Sequence, residues 1–326
     1  MKKIMTVFVL SLWLLGIGSQ VRANEQRHVS VKGLSSKGVL NNIESVLNVL
    51  KKNYVYPEVA QAMSAFVTQQ VALGHYRDID SIDALIIKLE ADLRASSHDG
   101  HISLHRGRKA SRRKVATQSL SDSRTIFRAE RINSDVGQKS IGFIQFNIFS
   151  AKAHTKERIV MAMKELRLMD ALIIDLRNNG GGDPSIVAFL SSLLVGENVH
   201  LWSVLDRQGE TLMDAISHKA SNQYKGQVCL LISKKTYSAA EAFAYTMKHL
   251  NRACVVGEPS GGGAHLVQME PVNNDIDIRI PVARAYNRIT KSNWEGVGVI
   301  PTISVNPSQA KAVAINYLMT TPNVSP

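Results

Sequence analysis

A chain of 326 residues, 44 % hydrophobic and 20 % charged, can bury a sizeable core and is long enough for about two domains at roughly 150 residues each. Its net charge of +12 owes much to one run, Arg106 to Lys114, which has no aromatic residue for base stacking and belongs to no nucleic-acid motif. A solvated loop is therefore favoured over a nucleic-acid or headgroup partner.

Lys2 and Lys3, an apolar run over residues 4–17 and the small-residue site Val21-Arg22-Ala23 make residues 1–23 a signal peptide. The run is too short for a bilayer, which needs about 20 apolar residues. The mature chain is expected to start near Asn24, exported to a periplasm or secreted, without stable membrane insertion. Its two cysteines, Cys229 and Cys254, could pair in an oxidising compartment. Each sits in an apolar strand pattern, however, and a buried free thiol is the reading favoured there.

Residues 24–105 read as an N-terminal helical domain. Leu40, Ile43, Leu47 and Leu50 recur at helical spacing, as do Val59, Met63 and Phe66, and then Ile82, Leu85, Ile86, Leu89 and Leu93. It ends in Ser96-Ser-His-Asp-Gly-His-Ile-Ser-Leu-His105. On one helix His98, His101 and His105 could hold zinc, but Asp99-Gly100 and Gly107 favour a turn into a strand, which scatters them; no metal is expected. His101 alone, used as a base, is the sharper reading, against an inert surface histidine.

After a basic linker over 106–122, residues 123–326 alternate strands and helices as an α/β domain. Strands are expected at 125–131 and 140–149 and a helix at 155–168. A strand from Ala171 then meets Asn178-Asn-Gly-Gly-Gly-Asp-Pro184, with Asp183 as N-cap and Pro184 opening a helix. Glycines there expose amides at a helix N-terminus, either as an oxyanion site or as a tight turn. A strand follows at 200–206, a loop-rich stretch at 207–226, a strand near 276–282 and a closing helix at 309–318.

Between these lies the stretch 227–265, where a strand hands over to a helix at Ser238-Ala-Ala-Glu241. A hydroxyl at such a corner stands beside the positive end of a helix, as an attacking oxygen requires. The same residues also form a capping box, which on this segment alone is the simpler reading.

Together, five pieces give the chain its resemblance to a known family: Asp99-Gly-His101, the Ile-Ile-Asp-Leu-Arg-Asn-Asn-Gly-Gly-Gly run at 173–182, Thr236-Tyr-Ser-Ala-Ala-Glu241, Gly257-Glu-Pro-Ser-Gly-Gly-Gly-Ala-His265 and Trp294-Glu-Gly-Val-Gly-Val-Ile-Pro301. In this order they resemble the C-terminal processing (tail-specific) serine proteases, in the branch similar to tricorn protease and interphotoreceptor retinoid-binding protein. The resemblance implies a crotonase-like β-β-α spiral after the helical bundle, with no cofactor and a peptide or protein substrate. It also implies Ser238 as nucleophile, the amides of Ala239 and Gly181 as oxyanion hole, and Asn179, Gly180 and Gly182 beside the substrate.

Three departures matter. Gly263 stands where members with a serine–lysine dyad keep lysine, so the base is expected from His101, oriented by Glu295 as in the tricorn-like branch, with His265 and Glu241 as alternative base or support. No PDZ domain follows His101, and Thr302 replaces the usual Asp. The same fold also serves non-catalytic ligand binding, so a lipid- or peptide-binding protein is the alternative; coenzyme A chemistry has no recognisable pocket.

Overall fold

The structure is a computed structural model that describes residues 34–107, 127–132, 139–152 and 154–322. In chain order it runs α1 (Ser36–Asn53), α2 (Pro57–Ala72), α3 (Ile82–Ser97), β1 (Ser103–Arg106), β2 (Phe127–Ile132), β3 (Ile141–Phe146), α4 (His154–Leu166), β4 (Ala171–Asp175) and α5 (Pro184–Val195). It continues through β5 (His200–Leu205), β6 (Thr211–Ile216), β7 (Gln227–Ile232), α6 (Ala239–His249), β8 (Cys254–Gly257), β9 (His265–Pro271), β10 (Ile276–Tyr286), β11 (Ile303–Ser304) and α7 (Ala310–Thr320). The expected signal peptide and nearly all of the expected basic linker lie outside the described residues. No described helix is long and apolar enough to cross a membrane.

The apolar stripes of α1 to α3 close on one another and on β10: Val46, Leu50, Met63, Leu85, Leu89 and Leu93 share a core with Ile276, Ile278 and Ile280. Ser35 and Ser81 cap α1 and α3, accepting from the amides of Gly38 and Ala84. The chain then leaves α3 through His98 in the left-handed region (φ 55°) and enters β1, which pairs antiparallel with β10, Leu104 opposite Ile278. That pairing ties the helical segment to the sheet of the second half, and residues from Leu34 onward form one compact unit.

Two sheets follow, one six-stranded in the order β11-β8-β7-β4-β3-β2, the other made of β1-β10-β5-β6 with β9 on β10. The first is parallel except for β2 against β3. Strict alternation sends Leu172, Ile174, Val228, Leu230, Ile232 and Val255 into a core shared with α5, α6 and β5. Ile173, Cys229, Leu231 and Val256 face the opposite way, under Ala310, Ala314 and Leu318 of α7. Strands covered on both faces read as unbroken apolar runs, which is why β4 and β7 were legible. The chain passes repeatedly from one sheet to the other around these helices, giving the mixed α/β architecture expected.

Two strands differ from expectation. The stretch 207–226 contains β6, an edge strand whose Leu212, Met213 and Ile216 are exposed, so no buried alternation betrays it. β9, half-exposed along most of its length, extends the sheet beside β10.

The cysteines also correct the reading. Cys229 and Cys254 occupy facing positions on adjacent strands β7 and β8 and form a disulfide, Cα to Cα 4.6 Å, which apolar surroundings alone could not reveal. Closing a loop of 25 residues stabilises the chain by about 3 kcal/mol. Thiol titration of the unfolded, unreduced protein should therefore find no free cysteine and two after reduction. Cys229→Ala should lower unfolding free energy by that order in denaturant titration.

Candidate active site

The turn after β7 is pinned before it reaches Ser238. The Thr236 hydroxyl donates to the Leu176 carbonyl (2.8 Å) and accepts from the Ser233 amide (3.0 Å), and the Tyr237 amide donates to the Asn179 carbonyl (3.0 Å). Ser238 then adopts φ 53° and ψ −122°, a conformation L-residues rarely take. The result is an exposed serine at the mouth of α6, beside the Ala239 amide, which as a first-turn amide has no acceptor inside the helix. Gly181 (φ 109°) passes so close that a Cβ there would lie 2.9 Å from the Ser238 Cβ.

Glu241, one turn into α6, is fully buried and accepts four hydrogen bonds. Oε2 takes the amides of Ser238 and Gly263 (both 2.8 Å); Oε1 takes the Gly262 amide (2.6 Å) and the Ser260 hydroxyl. Burial pushes its carboxyl above the ordinary value despite these donors. Glu241 thus does more than cap: it fixes the glycine turn at 261–263 against the Ser238 corner.

His101 comes from the opposite end of the sequence, on the turn between α3 and β1. α3 stops at Ser97, so His98, His101 and His105 do not share a helix face. His101 is buried, with Nδ1 2.9 Å from Asp99 Oδ1 and 3.3 Å from Glu295 Oε1. Asp99 is itself held by the Tyr54 hydroxyl (2.7 Å) and the His101 amide (2.7 Å). Glu295 Oε2 is held by the amides of Ala264 (2.7 Å) and His265 (3.1 Å). Burial opposes charge on the imidazole, yet hydrogen bonds to Asp99 and Glu295 hold the His101 pKa up to about 9.

The far nitrogen, Nε2, meets the Tyr237 hydroxyl at 2.8 Å. In the neutral ring Nδ1 bears the proton toward the carboxylates and Nε2 accepts from the phenol. The tyrosine ring fills the space over Gly263, where a Cβ would come within 2.2 Å of it, and packs on Gly261. No lysine could occupy position 263 with Tyr237 as it stands.

His265 packs against His101, ring centroids 5.8 Å apart, and lines a cavity of about 320 Å³ with Ser238, Ala239, Trp202, Val204 and Trp294. Burial holds its pKa below the ordinary histidine value. In the glycine loop the Gly181 amide donates to Asn179 Oδ1 (2.9 Å), Gly182 bridges to Phe149, and Gly180 is open and exposed. Asp99, His101, His265 and Glu295 each turn a donor atom inward, all within 4.8 Å of one another, a set that could hold a metal ion.

Sequence reading missed two of these groups. Asp99 approaches Nδ1 more closely than Glu295 does; its spacing two residues before the histidine, in a turn, was the available signal. Nothing in the sequence marked Tyr237, whose importance arises from packing on glycines 24 and 26 residues later.

Known proteins resemble this chain in sequence and in fold. The sequence model of "Peptidase family S41" matches residues 140–305, and that of "N-terminal domain of Peptidase_S41 in eukaryotic IRBP" matches residues 35–136. The chain is 27 % identical over 187 residues to the carboxy-terminal processing protease CtpB of Bacillus subtilis, covering 56 % of this chain and 36 % of that protein. It is 28 % identical over 145 residues to the tail-specific protease of Haemophilus influenzae, covering 44 % and 20 %. The chain therefore spans well under half the length of these curated relatives. In fold it is similar to the photosystem II D1 C-terminal processing protease (TM-score 0.59, 15 % identity, 84 % of this chain and 94 % of that one). It is also similar to tricorn protease (TM-score 0.55, 12 % identity, 87 % and 36 %).

The Glu241 node yields a direct test. In Glu241→Gln one carboxylate oxygen becomes an amide group facing two N–H donors or their equivalents, so two buried groups lose their acceptor at about 1–3 kcal/mol each. Denaturant unfolding should register a loss of about 2–6 kcal/mol, above the roughly 1 kcal/mol typical of a lost helix cap alone.

Proposed function

This chain belongs to peptidase family S41, and we propose that it hydrolyses peptide bonds through an acyl-enzyme on Ser238, with His101 as general base. The observation that supports this most is a buried imidazole whose Nδ1 is faced by two carboxylates and whose Nε2 meets the hydroxyl of Tyr237, the residue next to an exposed serine at a helix mouth. Ser238 Oγ attacks the carbonyl carbon, and the developing oxyanion is received by the Ala239 amide and the Gly180–Gly182 loop. Gly181 would serve once its amide leaves Asn179, a substrate-dependent adjustment of the kind apo sites undergo.

The proton path follows from Tyr237. Its ring is hemmed in by Gly261 and Gly263 and its hydroxyl covers Nε2. On this reading the phenol gives its own proton to Nε2 as it receives that of Ser238, which requires its oxygen to come within hydrogen-bond reach of Ser238 Oγ when substrate binds, and the reverse transfer protonates the leaving amine. Asp99 and Glu295 keep the Nδ1–H tautomer and balance the imidazolium. The adjoining cavity, walled by Trp202, Val204 and Trp294, suits an uncharged, bulky substrate side chain. A disulfide between β7 and β8 supports an oxidising compartment, and with it export after cleavage near Asn24.

A fluorophosphonate probe tests the nucleophile: labelling should fall on Ser238 and vanish in Ser238→Ala. Absence of labelling together with tight binding of an apolar ligand in the cavity would favour a carrier instead. Against a peptide substrate, His101→Ala and Tyr237→Phe should each lower kcat/KM by about 10²–10⁴, and the double variant little further, since the two act in one transfer. Full activity in His101→Ala would pass the role of base to His265; full activity in Tyr237→Phe would remove the phenol from the path.

A further inference from the structure

His265 has a buried nitrogen with nothing to bond. Its side chain is 4 % exposed, and Nδ1 lies 3.5 Å from Glu295 Oε2 without forming a hydrogen bond to any group. An unsatisfied buried polar atom is costly, and it points to a missing partner. Around that nitrogen stand Asp99, His101 and Glu295, two carboxylates and a second imidazole.

We propose that these four residues form a site for a divalent transition-metal ion of the zinc type, whose occupancy switches off the general base. Tetrahedral zinc bound to imidazole and carboxylate at about 2.0–2.2 Å separates neighbouring donor atoms by about 3.3–3.5 Å. The spacings here are 2.9 Å (Asp99 Oδ1 to His101 Nδ1), 3.3 Å (His101 Nδ1 to Glu295 Oε1) and 3.5 Å (Glu295 Oε2 to His265 Nδ1), with one donor from each residue within 4.8 Å of all the others, so the set has to contract around the ion. The charge also fits, because two carboxylates with neutral imidazoles are balanced by one dication.

The surrounding groups are those a bound metal needs to orient its ligands. The Tyr54 hydroxyl holds Asp99, the Tyr237 hydroxyl meets the far nitrogen of His101, and the Tyr56 hydroxyl lies 3.4 Å from the far nitrogen of His265. Neither cysteine competes for the ion, since both are in the disulfide.

The consequence for chemistry is a matter of tautomers. A metal on His101 Nδ1 displaces the proton held there and forces the remaining ring proton onto Nε2, which can then no longer accept one from the Tyr237 hydroxyl. Binding is independent of the peptidase reading; the inhibition rests on it.

Equilibrium dialysis of the whole protein against Zn²⁺ should find a tight site that is weakened about 100-fold in His265→Ala and in Glu295→Gln, and unchanged in His98→Ala and His105→Ala. Using two variants, each checked for folding by thermal unfolding without metal, guards against loss of structure. No Zn²⁺ bound by the wild type, or binding unaffected by both substitutions, overturns the site. Zn²⁺ should also slow fluorophosphonate labelling of Ser238, with chelation restoring it; unchanged labelling at full occupancy overturns the switch. If Ser238 is never labelled, the peptidase reading fails while dialysis still decides the metal site.

Discussion

Four donors converging on one buried carboxylate hold the candidate site in shape. Glu241 gathers the Ser238 amide, two glycine amides and the Ser260 hydroxyl, and a carboxylate at that depth is tolerated only because its lone pairs are occupied. The strained serine corner and the turn at 261–263 are thereby one rigid body. Tyr237 and His265, immediately next to these anchored residues, inherit their positions from it.

The second requirement is met by long-range pairing. His101 and Asp99 lie on a turn delivered by β1, and β1 is registered against β10 through Leu104 and Ile278. Glu295 arrives after β10, fixed by two amides of the 264–265 turn. One sheet therefore sets the distance between an imidazole from the front of the chain and a carboxylate from near its end. The helices α1 to α3 act through the same route: their core is completed by β10, so loosening it would shift His101 rather than Ser238.

Much of this was legible beforehand, and unevenly. The parallel strands β4 and β7 announced themselves because both faces are buried; β6 did not, because it is an edge with its apolar side chains in solvent. Ser238, His101, Glu295 and the glycine loop stand in the sequence as pieces of a motif series, and Glu241 as a cap. Its four bonds could not be read, since three of the donors come from residues 260–263. Tyr237 and the Cys229–Cys254 bridge escaped for a related reason. Each depends on which residues face one another across strands or turns, a relation that side-chain type alone does not encode.

The interleaving of front and tail has a consequence for biosynthesis. A ribosome-bound chain that has emerged as far as α6 already possesses its serine, but neither β10 to seat the imidazole nor Glu295 to steady it. On the peptidase reading, Ser238 is thus without its base until the polypeptide has been made beyond Glu295 and β10 has folded against β1.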